Sequence, residues 1–219
     1  MKFSKIISYL LHPILMPIIV LYIGINNVDY FYLIFHNYSN NLYVIILTFT
    51  MVLPLISAIL FVKSGRVESL EMRKKEERRG PLFVSALIMI IGFLFFYYPI
   101  AKLSVHLSAI YISSIILLFF AFLITKRWKI SLHMLGIGGA TGAFIALNYI
   151  FGGIYYFVVL FFFLSGLLAF SRLDQKAHNA SQVYVGFVLG CVFQSLFIVY
   201  YSSIISTISI LRSSIASLL

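Results

Sequence analysis

Seven long apolar runs leave this chain few ways to fold. They fall at about 6–25, 42–62, 82–100, 105–125, 132–151, 153–170 and 181–209. About 20 apolar residues wound as a helix reach across the ~30 Å hydrocarbon layer of a bilayer. Inside that layer, a backbone satisfies its own hydrogen bonds only as a helix or a closed barrel. Runs of this length and continuity specify helices. Composition agrees: 62% of the 219 residues are hydrophobic and 10% charged, with mean hydropathy +1.06, far more hydrocarbon than a soluble core needs. The expected fold class is therefore all-α, a polytopic helical bundle of about seven transmembrane helices forming a single membrane domain over 1–219. The polar stretches between the runs are too short to fold by themselves.

The opening run is longer than a signal-peptide core, and no A-x-A cleavage pattern follows it, so it is read as a retained first span. The third and fourth runs are parted by a short polar break near Pro99–Ser104, the fifth and sixth by Gly152–Gly153. Each pair reads as a helical hairpin, and the last run is long enough to span and continue beyond the bilayer. The lone cysteine, Cys191, lies inside an apolar run and has no partner for an internal disulfide.

Charge sets the expected orientation. With seven spans, Lys and Arg divide 14 against 2 between the two sides, the richer side being that of the N-terminus. Basic residues stay on the cytoplasmic side, so the N-terminus is expected there. The net charge of +10 is assigned to this flanking role beside anionic headgroups and not to nucleic acid.

Three polar segments stand out, an even number of spans apart and so expected at one end of the bundle: "EMRKKEERRGP" at 71–81, "KISLHMLGIGG" at 129–139 and "SRLDQKAHNASQ" at 171–182. In the last, His178 and Gln182 are four apart and share a helix face, where Gln182 can hold the imidazole. In the second, Ser131 and His133 open the fifth span, where free backbone N–H groups favour an anion. Its glycines, Gly138 and Gly142 above all, form a small-xxx-small face suited to close helix packing. The first is a dense mixed-charge loop that offers guanidinium groups, which bind phosphate bidentately.

These segments together resemble the type 2 phosphatidic acid phosphatase (PAP2) superfamily of membrane phosphatases and haloperoxidases, with motifs K-x6-R-P, P-S-G-H and S-R-x5-H-x3-D. The third motif is matched by Ser171-Arg172-x5-His178-x3-Gln182, with Gln in place of the final Asp. The second is matched by Ile130-Ser131-Leu132-His133, without the proline and glycine. The first is the weakest: counted back from Pro81, Arg73 takes the lysine place, Gly80 the arginine place, and Arg79 is displaced by one. The resemblance covers about 71–190, the two spans in 1–62 lying outside it. The opening "SYLLHPILMP" also resembles Bacteroidetes membrane proteins assigned to this superfamily, which implies a bacterial inner membrane.

The resemblance implies a PAP2-like core in which His178 is the nucleophile and forms a phosphohistidine. His133 would be the general acid, and Gln182 would stand where the family's orienting Asp stands. Phosphate oxygens would be held by Arg172 with Arg79, Arg78 or Arg73, with hydrogen bonds from Ser131 and Ser171. Asp174 is an alternative orienter. The implied partner is a phosphate-bearing lipid such as phosphatidate, phosphatidylglycerol phosphate or a polyprenyl diphosphate, with no metal or other cofactor. Gln182 equally admits a weakened or inactive descendant that binds anionic lipid or scaffolds a membrane complex. A small transporter is the third reading, with His12 its only ionisable candidate outside the three segments.

Overall fold

The structure of the chain is a computed structural model that describes residues 2–72, 74–97 and 104–216. Every regular element among them is helical: α1 (Lys2–Leu10), α2 (Met16–Asn27), α3 (Asp29–Phe35), α4 (Ser39–Leu47), α5 (Leu53–Lys63), α6 (Lys75–Tyr97), α7 (Val105–Thr125), α8 (Leu132–Phe151), α9 (Tyr155–Asp174) and α10 (Ala180–Ala216). Seven stretches are long and apolar enough to cross a membrane: Lys2–Asn27, Asp29–Lys63, and then the helices α6 to α10 in turn. The bundle is thus all-helical with seven candidate spans, as the apolar runs require.

Prolines explain where the first two spans are irregular. Pro13 carries no N–H and drives the preceding residue out of helix, and His12 is extended (φ −68°, ψ 136°). A 3₁₀ turn at Pro13–Leu15 restarts the chain, with His12 Nδ1 accepting from the Ile14 N–H at 3.4 Å. In the second span, Pro54 cannot donate to the carbonyl of Thr50. A π turn over Thr48–Val52 takes up the mismatch immediately before it.

Two boundaries differ from the sequence reading. Residues 29–41, which lie outside the expected run, are largely helical as α3 and the start of α4. The mixed-charge segment expected as a loop is helical from Lys75, seven residues before the expected third run. Glu76 and Glu77 in its first turn oppose the positive end of the helix dipole, and Pro81 sits one turn further in, where the chain has already wound. The hairpins are as expected where they are described. Gly152 and Gly153, both at positive φ (72° and 79°), turn the chain between α8 and α9 in a three-residue link. Most of the Pro99–Ser104 break lies outside the described residues.

α8 is the axis of the bundle, its apolar window 67% buried where no other span exceeds 39%. Its glycines decide this. A Cβ on Gly138 would stand 2.4 Å from the Phe187 carbonyl oxygen, and one on Gly142 would stand 2.3 Å from that of Cys191. Across the interface, a Cβ on Gly190 would lie 2.3 Å from the Leu135 oxygen. The α8 glycines therefore serve packing, as read from the sequence, and α10 answers with Gly186 and Gly190 at the same four-residue spacing. On its other side α8 meets the first span. Pro13 packs on Gly136, and Gly24 faces Leu147 eleven residues along each chain segment, so α2 and α8 run parallel.

Candidate functional site: a basic, imidazole-bearing polar cluster at one end of the bundle

The three polar segments meet. Arg78 Nη1 donates to the Ile130 carbonyl at 2.9 Å, joining the first segment to the second. Lys129 Nζ donates to the Ala177 carbonyl at 3.2 Å, and the Ser131 N–H to the Gln182 carbonyl at 3.3 Å, joining the second to the third. The start of α6, the start of α8 and the α9–α10 turn thus share one end of the molecule.

His178 sits in that turn, five residues long between the two helices, in which Lys176 adopts φ 50°. Asn179 caps α10: its Oδ1 accepts the Gln182 N–H at 3.0 Å, and Gln182 Oε1 returns to the Asn179 N–H at 3.4 Å, a reciprocal capping box. The same Oε1 lies 2.9 Å from His178 Nδ1. An atom that accepts from a backbone N–H is the amide oxygen, so the Nδ1 facing it must be the protonated nitrogen. The tautomer of His178 follows, with the lone pair on Nε2. His178 is buried. Burial, then the charges of Arg78, Arg172 and Lys129, push its imidazole down to about 3, against the upward pull of the Gln182 hydrogen bond. It is an uncharged base at neutral pH.

Arg78 is the guanidinium of the first segment that turns inward. It is 5% exposed, and its Nε donates to the Met72 carbonyl at 2.9 Å. Arg79 is exposed and donates to the Lys126 carbonyl instead. Helical winding across this stretch separates the two neighbours by about 100° of rotation, which sends one into the cluster and the other to the rim. Arg73, the third candidate, lies outside the described residues.

Arg172 ends α9. Its Nη1 donates to Ser8 Oγ at 3.2 Å, and Glu71 lies within attractive electrostatic range. Its Nε is buried with no hydrogen-bond partner among the described residues. A buried charged donor without an acceptor costs on the order of 1–3 kcal/mol or more. With Arg78 as a like-charged neighbour, positive charge is concentrated at this end of the bundle.

The remaining candidates divide. Ser131, fully buried, is the N-cap of α8 and accepts the Met134 N–H at 3.5 Å. His133 Nε2 lies 3.2 Å from the Ser8 carbonyl, and its ring meets His12 edge-on at 4.9 Å between centroids. Ser171 points to α1, where its hydroxyl donates to the Ser4 carbonyl at 2.6 Å. Asp174 accepts from the Ser4 hydroxyl, while Gln182 is the residue that holds the His178 Nδ1.

Within the first span the sequence reading singled out His12 alone, and for transport; it gave α1 no place in the phosphate site. In the structure Ser8 and His12 reach the polar cluster, while the Ser4 hydroxyl docks α1 on Asp174 of α9. The available signal was the pair of serines four apart in an otherwise apolar and basic helix, which places both on one face. Fold and cluster together define a polytopic helical membrane protein with a basic, imidazole-bearing cluster at one end of its spans. Compared with protein-family models, curated proteins and solved structures, the chain gives no significant match.

Proposed function

We propose that this cluster binds the phosphate of a membrane lipid and that the chain is a PAP2-like lipid-phosphate phosphatase working through a phosphohistidine. The observation that carries the reading is His178: buried, uncharged at neutral pH, with Nδ1–H fixed by Gln182 and guanidinium charges of Arg78 and Arg172 around it. Nε2 of His178 attacks phosphorus, the N–P bond forms, and the P–O bond to the lipid breaks. The leaving alkoxide takes a proton from Nδ1 of His133, which the neutral imidazole accepts from the phosphate monoanion as it binds and hands back to inorganic phosphate at the end of the cycle. Water then attacks phosphorus and gives its proton back to His133, the N–P bond breaks, and inorganic phosphate leaves with His178 neutral again. Covalent catalysis splits the displacement into two easier steps. Arg78 and Arg172 stabilise the charge that spreads over the phosphoryl oxygens, and Ser131 adds a hydroxyl donor. A site at the end of the spans suits a substrate whose tails stay in the bilayer while its headgroup enters from the side. By the distribution of Lys and Arg, that end faces the cytoplasm of a bacterial inner membrane.

One observation favours a second reading. Phosphorylation of Nε2 with Nδ1 still protonated leaves a positive ring, and neutral Gln182 orients that ring without compensating its charge. A site that binds anionic lipid without turning it over accommodates this better. Phosphate release from phosphatidate, phosphatidylglycerol phosphate and polyprenyl diphosphate, measured on purified protein in detergent, separates the two. Release that disappears in His178→Ala supports the phosphatase, and Gln182→Asp is then expected to accelerate it by at least about tenfold, as orienting carboxylates beside histidine do. Binding of inorganic phosphate or vanadate without release from any of the three selects the binding protein, and absence of both release and binding removes the reading.

A further inference from the structure

Proton counting in the α1–α9 contact gives Ser8 an unusual position. Ser171 Oγ has one hydrogen and donates it to the Ser4 carbonyl at 2.6 Å. In the 2.7 Å contact between the hydroxyls of Ser8 and Ser171, Ser8 must then be the donor. That leaves the two lone pairs of Ser8 Oγ: one accepts from Arg172 Nη1 at 3.2 Å, and the other faces Gln175 Nε2 at 2.9 Å, whose two hydrogens are shared among Ser8 Oγ, Ser171 Oγ at 3.0 Å and the Ser4 carbonyl at 2.9 Å. The hydroxyl is buried. Donation to Ser171 orients its hydrogen, which turns the lone pairs of the same oxygen toward the Arg172 guanidinium and Gln175.

The backbone of the same residue acts on the other side of the cluster. The Ser8 carbonyl faces His133 Nε2 at 3.2 Å. A carbonyl only accepts, so Nε2 carries a hydrogen and the ring exchanges its other proton at Nδ1. The carbonyl is available for a local reason. An α-helical carbonyl is normally taken by the N–H four residues on, here His12, but α1 ends at Leu10 and His12 is extended ahead of Pro13. The proline break in the first span thus presents the Ser8 carbonyl to the start of α8.

We propose that Ser8 is a positioning residue of the phosphate site, its hydroxyl aiming the Arg172 guanidinium and its carbonyl fixing the tautomer of His133. This rests on the phosphate-site reading above. It makes the N-terminal helix part of the functional site, although the PAP2-like motifs begin some sixty residues later. Ser4 provides the internal comparison. Its hydroxyl docks α1 on Asp174 of the same helix α9, one helical turn from Ser8, with no hydrogen bond from that hydroxyl to either arginine or either imidazole among the described residues.

Binding of inorganic phosphate to the purified full-length protein in detergent, followed by calorimetry, tests the assignment. Ser8→Ala is expected to weaken binding about tenfold, the scale of one charged hydrogen bond, while Ser4→Ala stays within about twofold of the parent. Ser8→Thr and Ser8→Val share a shape and differ by the hydroxyl, so their comparison decides the matter even if Ser8→Ala folds poorly: Thr is expected to bind phosphate several-fold more tightly than Val at equal thermal midpoints. Equal losses in Ser4→Ala and Ser8→Ala, or equal affinities in the Thr and Val variants, overturn the proposal and reduce α1 to a packing element. A parent protein that binds no phosphate overturns it together with the phosphate-site reading, whereas a parent that binds and a Ser8→Ala that binds equally well overturns it alone.

Discussion

At the residue scale, His178 concentrates the chemistry, and its protonation gives a test that needs no substrate. An imidazole ordinarily titrates near 6.5, whereas this one is pushed down to about 3 by burial and by Arg78, Arg172 and Lys129. Between those two values the unfolded chain carries a proton that the folded chain refuses, so stability falls as pH drops from about 6.5 toward 3. Removing the imidazole in His178→Asn is expected to make that part of the pH–stability profile shallower by one histidine's share, measured as thermal midpoint in detergent. Nitrogen NMR of the parent should show the ring still uncharged at about pH 5, and a phosphate anion bound beside it should raise its midpoint, because a nearby negative charge favours imidazolium. A ring that titrates at about 6.5 in the folded protein, indifferent to phosphate, contradicts the buried, cationic surroundings of His178.

The decisive contact between elements is α8 on α10. Gly190 brings the two backbones together so closely that a methyl group there meets the Leu135 oxygen at 2.3 Å and the Gly139 nitrogen at 2.8 Å, and backbone atoms cannot rotate aside. Gly190→Ala is therefore expected to destabilise the protein by about 1–3 kcal/mol or more through overpacking, read as a lowered thermal midpoint in detergent. It should also weaken phosphate binding, since α10 carries Gln182 and is tied to Ser131 at its first turn. A methyl group on Gly166 of α9, by contrast, would meet nothing within 4 Å. Gly166→Ala is expected to be neutral or to gain up to about 1 kcal/mol of helix propensity. Equal behaviour of the two variants would mean that α8 and α10 do not cross at these glycines.

At the scale of the whole molecule, the expected topology puts the polar cluster and the N-terminus on one side, facing the cytoplasm. Cys191 is buried, so single cysteines introduced at exposed positions report the side directly. Arg127, in the α7–α8 turn, and Asn40, at the start of α4, are both exposed and lie at opposite ends of the spans. In sealed, right-side-out bacterial spheroplasts, a membrane-impermeant thiol reagent is expected to label Asn40→Cys and to spare Arg127→Cys until the membrane is opened. The reverse pattern would place the cluster on the outer face and redirect the search for its lipid.

By itself the sequence determined the things that follow from hydrocarbon and chain periodicity. Seven apolar runs dictate seven helices because no open backbone state other than the helix satisfies its polar groups in a bilayer. The equal parity of the three polar segments brings them to one end, and four-residue spacings placed Gln182 against His178 and Gly138 with Gly142 on a packing face. What periodicity leaves open is which way a side chain turns where several directions are polar. Arg78 and Arg79 are interchangeable in the sequence, and only the winding of α6 sends one inward and the other to Lys126. Ser171 belongs to a phosphate-binding motif on paper, yet packing gives its hydroxyl to α1. The entry of α1 into the site was legible only as two serines on one helix face, because their partners are set by contacts between residues far apart in the chain, Ser8 with His133 and Arg172. Such pairings are set by how the first span lies along α8 and α9, and that is decided by the close glycine and proline contacts of the folded bundle.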